Sequence, residues 1–269
     1  MNPPVVLSIA GTDSGGAAGT AADLTTFAAL GVHGACVITA VTAQDTLGVR
    51  AVHPIPVEVV AAQLDAVLDD LDPVAVKTGM LADPAVVRLV AERCADRILV
   101  VDPVVVATSG AVLADEATLD AYRTHLLPVA TVSTPNADED DLLGRAHATA
   151  VIRTGGAGGD VLHRPGVVPL SLAHPVVETR NDHGTGCTYA AALAAHLAHG
   201  LELPDAAARA ADFVVDRLRV GRTWTLGRGR GPVAHLVPSA RPATPPSRTP
   251  TTPPTTPPTA PVTTPGGPR

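Results

Sequence analysis

The sequence predicts a three-layer α/β/α domain built around a central, mostly parallel β-sheet. Short apolar runs alternate along the chain with longer segments of helical periodicity. The apolar residues are mainly Val, Leu, Ile and Ala, and aromatic residues make up only 2 % of the chain. Strands that alternate with helices are joined by parallel crossovers. Strands covered by helices on both faces are rich in small aliphatic residues, which agrees with this composition.

The elements can be predicted in order along the chain. Residues 5–10 are a short apolar run that ends at a glycine, which is typical of a buried strand. Residues 57–71 form the clearest amphipathic helix, because Val60, Leu64 and Val67 recur at spacings of four and three. Further strands are predicted at residues 35–41, 74–77, 98–101, 131–133, 150–153, 160–162 and 176–179, and further helices at residues 20–30, 84–94, 115–127, 185–199 and 204–219.

The composition changes near the end of the chain. From about residue 239 the sequence consists of Pro, Thr and small residues, and apolar side chains nearly vanish. Such a segment cannot bury enough surface to offset the entropy lost on ordering. We therefore expect one folded domain over residues 1–238 and a disordered tail over residues 239–269, with a stiff polyproline spacer or docking arm as the alternative for the tail.

The composition also argues against several classes of protein. The net charge is −7, no segment gathers Lys and Arg, and few aromatic residues are present, so nucleic-acid binding is not expected. No apolar run reaches the roughly 18 residues of a membrane helix, and the N-terminus lacks the basic region of a signal peptide. Cys36, Cys94 and Cys187 have no paired spacing, which favours a reducing compartment. We expect a cytoplasmic protein that binds neither nucleic acid nor membrane.

Polar and glycine-bearing segments follow the predicted strands. In a parallel α/β sheet, ligands bind at the carboxyl ends of the strands. We therefore expect these segments to lie along one edge of the sheet and to form the functional site. They are residues 11–19, 42–46, 77–80, 102–104, 134–139 and 184–186.

The segment 183–188, with the sequence HGTGCT, precedes an alanine-rich helix. Glycines let a backbone approach an anion closely, and a helix start offers unpaired N–H groups at the positive end of the dipole. This segment therefore predicts a phosphate site, although the P-loop pattern is absent. The alternative is a plain turn with Thr185 as the N-cap. At this position Cys187 is expected to have a lowered thiol pKa, unless it is an inert core cysteine.

Three acidic or amide side chains are candidates for a metal-phosphate site. Asn136 and Glu139 lie near the start of a predicted helix and suit a magnesium ion held mainly through water and phosphate. Their spacing also fits a capping box, and the spacing alone favours the capping box over the metal site. Asp102 ends its strand and is a second candidate ligand, or else a turn residue before Pro103.

Two aspartates flank the glycine-rich segment 11–19. Asp13 and Asp23 are suited to hydrogen bonding with a small polar ligand. Asp23 also fits an ordinary acidic residue in the first turn of a helix. The segment itself is not a GxGxxG dinucleotide fingerprint, so the sequence leaves both readings of these aspartates open.

Seven segments together resemble the hydroxymethylpyrimidine/phosphomethylpyrimidine kinases of thiamine biosynthesis, within the ribokinase-like superfamily. They occur in the order of that family between about residue 5 and residue 236. The segments are AGTDSGGAAGTAADLTTF (10–27), TAQDT (42–46), KTGM (77–80), DPVVVATSG (102–110), TPNADE (134–139), HGTGCT (183–188) and GRGRGPVAH (227–235).

The resemblance implies a ribokinase-like fold, the cofactors ATP and Mg²⁺, a homodimer, and two successive transfers of the ATP γ-phosphoryl group. The acceptors would be 4-amino-5-hydroxymethyl-2-methylpyrimidine and its monophosphate. The implied site residues are Gln44, Asp23, Gly11 and Met80 for the acceptor, Asn136, Glu139, Thr185 and Thr154 for the nucleotide, Asp102 and Glu139 for the metal, and Gly184, Thr185, Gly186 and Cys187 for the catalytic anion hole, with Cys187 beside the acceptor hydroxyl as base or positioner.

The sequence departs from the family pattern at several positions. Ala17 replaces a usual glycine and is expected to crowd its loop if φ is positive there. Thr154 stands where a phosphate-facing lysine is expected, and Arg153 should point to the opposite side of its strand. Asp182 adds a negative charge before the anion loop, and the segment 139–150 is short. Thr154 and the short segment leave open a degenerate ligand-binding or regulatory homologue without transfer activity. A pyridoxal or pyridoxine kinase is the other alternative, because the two kinase activities share this scaffold.

Overall fold

A computed structural model gives the structure of the chain and describes residues 2–105, 113–144, 149–156 and 159–236. The predicted tail, residues 239–269, lies outside the described residues, as do parts of the segments 102–110 and 139–150. Within the described ranges, no helix is long and apolar enough to cross a membrane.

The elements follow the predicted alternation of strands and helices. In chain order they are β1 (Val5–Ala10), α1 (Gly19–Ala29), β2 (His33–Ile38), β3 (Ala40–Asp45), β4 (Gly48–Pro54), α2 (Val57–Leu71), β5 (Ala75–Thr78), α3 (Pro84–Cys94), β6 (Ile98–Val101), α4 (Glu116–Ala121) continued by a π turn (Tyr122–Leu126) and a 3₁₀ turn (Leu127–Val129), β7 (Val132–Ser133), α5 (Ala137–Leu143), β8 (Val151–Arg153), β9 (Asp160–Arg164), β10 (Val167–Leu172), α6 (Thr185–Ala198) and α7 (Leu203–Gly221).

The main sheet has eight strands in the order β10-β9-β8-β7-β6-β5-β1-β2. The strands from β8 to β2 pair in parallel, whereas β9 and β10 pair antiparallel at one end. The carboxyl ends of the parallel strands therefore meet at one edge. The prediction of a central, mostly parallel sheet is confirmed.

Two apolar cores cover the two faces of this sheet. Successive side chains of a strand point to opposite faces, so Leu7 and Ile9 of β1 belong to one core and Val6 to the other. The first core also contains residues of α2, α3 and α4, and the second contains residues of α1, α6 and α7. This arrangement gives the three layers that the sequence predicts.

The predicted strand at residues 176–179 is wrong. These residues form no strand, and Val176 is 72 % exposed. The strand in this part of the chain is β10, which forms a hairpin with β9 across Pro165 and Gly166. Gly166 has a φ of +69°, and a Pro-Gly pair is a strong turn signal. Strand β10 therefore begins directly after this turn, at Val167.

The prediction that residues 42–46 form a loop after the second strand is also wrong. Most of this segment lies in β3, which pairs antiparallel with β4 in a separate two-stranded sheet. The predicted strand at residues 35–41 spans the end of β2 and the start of β3. The hairpin is largely exposed and lacks a continuous apolar run, so it gives a weak strand signal.

The short crossover between β7 and β8 still closes a parallel connection. Ser133 of β7 pairs with Val151 of β8 in parallel. The helix between these strands is α5, which ends at Leu143. The prediction that the shortened segment can join two parallel strands is therefore confirmed.

The glycine-rich segment 11–19 packs against the start of α6. Gly184 has a φ of +91°, and a Cβ at this residue would overlap the carbonyl oxygen of Ala17. The only non-glycine residues with positive φ in the described ranges are Asp72 and Ala82. Ala17 therefore has an ordinary backbone conformation and does not strain its loop.

We expect Gly184→Ala to lower the free energy of unfolding more than the matched change Gly200→Ala. Both glycines have left-handed φ values, +91° and +85°, so an alanine costs about 1–2 kcal/mol at either position. Only at Gly184 would the methyl group also overlap a neighbouring backbone, which raises the expected loss to about 3 kcal/mol or more. Urea denaturation measures both losses, and equal losses would contradict the close packing of the two segments.

Candidate active site

The start of α6 carries unpaired backbone N–H groups. The N–H of Thr188 donates to the carbonyl of Gly184 at 2.9 Å. Within the described residues, the N–H groups of Gly186 and Cys187 have no acceptor. Gly186 is exposed, and a Cβ there would meet no atom within 4 Å. This helix start therefore has the open space and the free donors that an anion requires.

Thr185 is not the N-cap that the sequence allows. The N-cap is Gly184, which has no side chain to accept a hydrogen bond. The hydroxyl of Thr185 instead donates to the carbonyl of Asp182. The N–H of Thr185 donates to the carbonyl of Asp182 at 3.3 Å. Since the N-cap has no capping side chain, the N–H groups of Gly186 and Cys187 are left free.

A buried lysine lies next to this helix start. Lys77 is at the end of β5, and its Nζ donates to both carboxylate oxygens of Asp23, at 2.9 and 3.0 Å. The side chains of Lys77 and Asp23 have no exposed surface, and Ser8 donates a further hydrogen bond of 2.6 Å to Asp23. Asp23 is therefore paired with Lys77 and Ser8 in the interior, and its assignment to the acceptor stays a prediction.

The charge state of Lys77 follows from its neighbours. Burial alone would lower the pKa of Lys77, but the carboxylate of Asp23, with Cys187 and Asp102 nearby, raises that pKa above its ordinary value. Lys77 therefore carries a proton at neutral pH. It is the only lysine of the chain, and it brings one positive charge to the centre of the site.

Asp102 lies beside Lys77, and its charge also acts on Glu139. Oδ2 of Asp102 is buried without a hydrogen-bond partner among the described residues and lies 3.7 Å from Nζ of Lys77. Burial raises the pKa of Asp102 to about 6, against the opposing charge of Lys77. Burial and the charge of Asp102 raise the pKa of Glu139 to about 7. Both carboxylates would be stabilised by a cation.

The capping box at the start of α5 is present. The N–H of Asn136 donates to Glu139 at 3.0 Å, and the N–H of Glu139 donates to Asn136 at 3.0 Å. In the described parts of the chain, no group of three His, Cys, Asp or Glu side chains could enclose a metal ion. Two carboxylates with free oxygen capacity still fit Mg²⁺, which is commonly held by one or two carboxylates together with waters and phosphates.

Thr154 lies beside the same strand end but contributes no charge. Its N–H and its hydroxyl both donate to the carbonyl of Pro135, at 2.9 and 3.3 Å. Arg153 points to the other side of the strand, where it lies 3.7 Å from Asp140. This confirms the prediction that Arg153 does not replace the missing lysine.

The expectation of a lowered thiol pKa at Cys187 is wrong. Burial raises the pKa of Cys187 to about 12, and the charges of Asp102 and Asp23 add to this effect, while Lys77 opposes it only in part. A helix start favours a thiolate, but here it is outweighed by burial beside two carboxylates. Cys187 is therefore a protonated thiol at neutral pH.

The negative charge of Asp182 is neutralised. Arg230 forms a two-pronged ion pair with it, at 2.5 and 2.6 Å. Arg230 belongs to the segment 227–231, whose backbone also donates to Thr46 at the tip of the β3–β4 hairpin. The repulsion that the sequence predicts before the anion loop is thus removed by a residue 48 positions away.

The acceptor-side residues lie where β3 runs along the glycine-rich segment. The N–H of Thr12 donates to the carbonyl of Ala40 at 2.9 Å, and the side chain of Gln44 lies at 3.0 Å from His183. Met80 is close to Gly11, since a Cβ on Gly11 would overlap the Met80 methyl group. Gln44 and Met80 therefore border the glycine-rich segment, to which Gly11 belongs.

A cavity of about 610 Å³ opens between the glycine-rich segment and the chain after α7. Gly15 and Gly16 line it on one side, and Trp224 and His235 are among the residues that line it on the other. Gln44, Met80 and Asp102 are absent from its wall. The volume suits a small ligand, but the carboxylates and the lysine lie elsewhere.

Lys77 and His183 lie in segments that the sequence predicts for the site, 77–80 and 183–188, but the sequence indicates no role for either side chain. Lys77 follows a strand and is the only lysine, which is a usable signal, but its partners Asp23 and Asp102 are far away in sequence. His183 opens the anion loop, and nothing in the local sequence indicates its contacts with Gln44 and Asp13. Both residues are identified by tertiary contacts.

Comparisons with known proteins identify the family of the chain. The family model for phosphomethylpyrimidine kinase matches residues 13–234. A hydroxymethylpyrimidine/phosphomethylpyrimidine kinase of Synechococcus elongatus is 44 % identical over 263 residues, which cover 88 % of this chain and 99 % of that protein.

Solved structures show the same fold. An ADP complex of Bacillus subtilis pyridoxal kinase superposes with a TM-score of 0.78 at 30 % identity, covering 87 % of this chain and 98 % of that one. A phosphomethylpyrimidine kinase of Clostridium difficile superposes with a TM-score of 0.68 at 30 % identity, covering 79 % and 98 %. The ribokinase-like fold is confirmed.

We expect Lys77→Met to lower the free energy of unfolding by about 3–5 kcal/mol, because it leaves the carboxylate of Asp23 buried without a counter-charge. The double variant Lys77→Met/Asp23→Asn removes both charges and keeps the shape of Asp23. It should recover most of the loss, to within about 2 kcal/mol of the parent. Urea denaturation of the parent, Lys77→Met, Asp23→Asn and the double variant gives the coupling free energy between the two residues. Additive losses would contradict the buried ion pair.

Proposed function

This chain belongs to the phosphomethylpyrimidine kinase family, and from that premise we propose that it phosphorylates a hydroxymethylpyrimidine. The reaction transfers the ATP γ-phosphoryl group to 4-amino-5-hydroxymethyl-2-methylpyrimidine and then to the monophosphate, which gives the diphosphate used in thiamine biosynthesis. The observation that carries the proposal is the open start of α6, where the N–H groups of Gly186 and Cys187 are free. The charges of Lys77, Asp23 and Asp102 act on Cys187 at this position.

Phosphoryl transfer depends on positioning and on charge stabilisation. The acceptor oxygen bonds to the γ-phosphorus as the bond to the bridging oxygen of ADP breaks, and negative charge is spread over the peripheral oxygens. The proton of the acceptor hydroxyl passes to an oxygen of the transferred phosphoryl group, and from there to water. The N–H groups of Gly186 and Cys187 and the dipole of α6 are suited to stabilise that charge. Lys77 holds the carboxylates of Asp23 and Asp102 close to this helix start, at 2.9 and 3.7 Å from its Nζ.

Cys187 acts in this proposal as a positioning residue. A thiol with a pKa of about 12 is protonated at neutral pH and is a poor base. The thiol can border the acceptor hydroxyl while its backbone N–H serves the phosphoryl group. The loose transition state of phosphoryl transfer requires little help from a base.

Mg²⁺ is part of the proposal. Asp102 and Glu139 would hold it, largely through water, because both carboxylates are buried with raised pKa values and Oδ2 of Asp102 has no hydrogen-bond partner in the described ranges. When bound, the ion would neutralise charge on the nucleotide phosphates. The assignment of Asn136, Thr185 and Thr154 to the nucleotide stays a prediction.

Two further expectations stay predictions. A cytoplasmic location is supported by three free cysteines, Cys36, Cys94 and Cys187. The homodimer rests on the family resemblance, and the exposed Val41 and Val52 of the β3–β4 sheet are apolar residues that a second copy would cover. Sedimentation velocity tests the homodimer directly.

Pyridoxal is the second candidate acceptor, because a pyridoxal kinase is among the similar structures. We expect a coupled ADP-release assay to show a kcat/KM for the pyrimidine at least about tenfold above that for pyridoxal, which is a difference of about 1.4 kcal/mol in transition-state binding. Product analysis by phosphorus NMR distinguishes the first transfer from the second. A preference for pyridoxal would contradict the proposed substrate. Binding of the pyrimidine without any turnover would support a degenerate homologue.

We expect Gly186→Pro to lower kcat by about 10²–10³, because proline removes one N–H that stabilises the transferring phosphoryl group. Proline is tolerated in the first turn of a helix, so α6 should persist. Gly186→Ala is the matched control: it keeps the N–H and its methyl group enters open space, so kcat should fall no more than about threefold.

Cys187→Ala completes the set, since it removes the thiol and keeps the N–H. We expect a loss of no more than about tenfold, far below that of Gly186→Pro. A loss as large as that of the proline variant would assign the base role to the thiol. Equal rates for Gly186→Pro and Gly186→Ala would rule out the N–H group of Gly186.

A further inference from the structure

A carboxylate lies close to the phosphate site proposed at the start of α6. Asp182 comes two residues before Gly184, the N-cap, and its carbonyl accepts from the N–H of Thr185 at 3.3 Å. A four-residue turn of this kind keeps its end Cα atoms within about 7 Å of each other. The carboxylate of Asp182 is therefore on the order of one Debye length, about 10 Å at 0.1 M salt, from the free N–H groups of Gly186 and Cys187. Without a counter-charge, it would repel the phosphates of a nucleotide.

Arg230 supplies the counter-charge for this carboxylate. Two nitrogens of its guanidinium donate to the two carboxylate oxygens of Asp182, at 2.5 and 2.6 Å. A bidentate pair of this kind fixes the orientation of the carboxylate and also cancels its charge. Within the described residues, no other cation pairs with Asp182. The charge that Asp182 presents to the phosphate site is therefore controlled by one side chain.

The backbone that carries Arg230 is attached on both sides of the site. The N–H of Arg230 donates to the carbonyl of Thr46, at the tip of the β3–β4 hairpin, at 2.9 Å. The next N–H, that of Gly231, donates to the carbonyl of Arg180 at 3.0 Å, two residues before Asp182. The two chain segments that carry the ion pair are thus bonded to each other through their backbones. Arg230 is therefore held opposite Asp182 before a nucleotide binds.

The stability of the fold does not depend on this ion pair. The side chains of Arg230 and Asp182 are 54 % and 26 % exposed. Ion pairs with such access to water contribute little to stability, because they are screened and both side chains lose freedom. The pair of Lys77 and Asp23 is different, since neither of its side chains has exposed surface. We therefore expect loss of the Arg230 charge to leave the fold intact and to change the electrostatic potential at the anion loop.

We propose that Arg230 is a positioning residue for phosphate binding. By pairing with Asp182 it cancels the charge of that carboxylate, so that the free N–H groups at the start of α6 can bind the γ-phosphoryl group of ATP. This inference deepens the proposed function and rests on its phosphate site. Arg230 acts through Asp182 and makes no contact with the nucleotide itself.

Calorimetric binding of the ATP analogue AMP-PCP, in the presence of Mg²⁺, tests this role without requiring turnover. Arg230→Met removes the charge and keeps most of the length of the side chain, so the affinity for AMP-PCP should fall about tenfold at low ionic strength. Relative to the parent at the same salt, the loss should shrink to about threefold or less in about 0.5 M salt, because salt screens an exposed carboxylate. ADP lacks the γ-phosphoryl group, and its affinity should fall by no more than about threefold, which also shows that the variant is folded.

Removal of the carboxylate should reverse the loss. The double variant Arg230→Met/Asp182→Asn has no charge at either position, and its affinity for AMP-PCP should return to within about twofold of the parent. Asp182→Asn alone also breaks the ion pair but leaves the positive charge, so its affinity should equal or exceed that of the parent. Arg228→Met is the matched control. Arg228 belongs to the same segment, but its partner is Asp45 of the hairpin, at 3.9 Å, so this variant should stay within about twofold of the parent.

The outcomes separate this inference from the proposed function. A purely structural role for the ion pair predicts that Asp182→Asn weakens AMP-PCP binding as much as Arg230→Met does, without rescue in the double variant and without dependence on salt. Each of these results would overturn the inference, and so would equal losses for Arg230→Met and Arg228→Met. In all these cases the proposed function still stands if the parent phosphorylates the pyrimidine in the coupled ADP-release assay. If the parent binds no AMP-PCP, the proposed function and the inference are both overturned.

Discussion

The ion pair between Lys77 and Asp23 joins β5 to α1 in the interior, and Asp102 after β6 lies against the same ammonium group. A lysine buried without a counter-charge would cost several kcal/mol, so these elements must keep their positions relative to one another. The same charges shift the pKa of Cys187 in the first turn of α6. The ion pair thereby fixes the strand ends and the helix start around which the candidate site is built.

Glycines and a few long-range contacts hold the loops in place around this ion pair. Gly184 lets the start of α6 approach Ala17, and Arg230 neutralises Asp182 at the entrance to the anion loop. The segment 227–231 binds the tip of the β3–β4 hairpin through Thr46, which places Gln44 beside His183. The donors of α6 are therefore preorganised before any phosphate arrives, and this favours electrostatic stabilisation of a transition state.

Local patterns predicted most of the fold, and the errors fall where the local signal is weak or where the partners are distant in sequence. The helix at Val57–Leu71 and the strand at Ile98–Val101 have the predicted bounds, because periodicity and apolar runs are local properties. The β3–β4 hairpin was missed because its exposed strands lack such a run. The thiol pKa of Cys187 was predicted with the wrong sign, since the carboxylates that surround it come from α1 and the end of β6, far away in sequence.

The central claim is that the N–H groups at the start of α6 hold the transferring phosphoryl group. A crystal structure with ADP, Mg²⁺, the hydroxymethylpyrimidine and aluminium fluoride, a mimic of that group, tests it most directly. The account predicts fluoride ligands within hydrogen-bonding distance of the backbone nitrogens of Gly186 and Cys187, with the pyrimidine hydroxyl on the opposite side of the aluminium from ADP. Aluminium fluoride bound away from α6, with these N–H groups facing solvent, would contradict it.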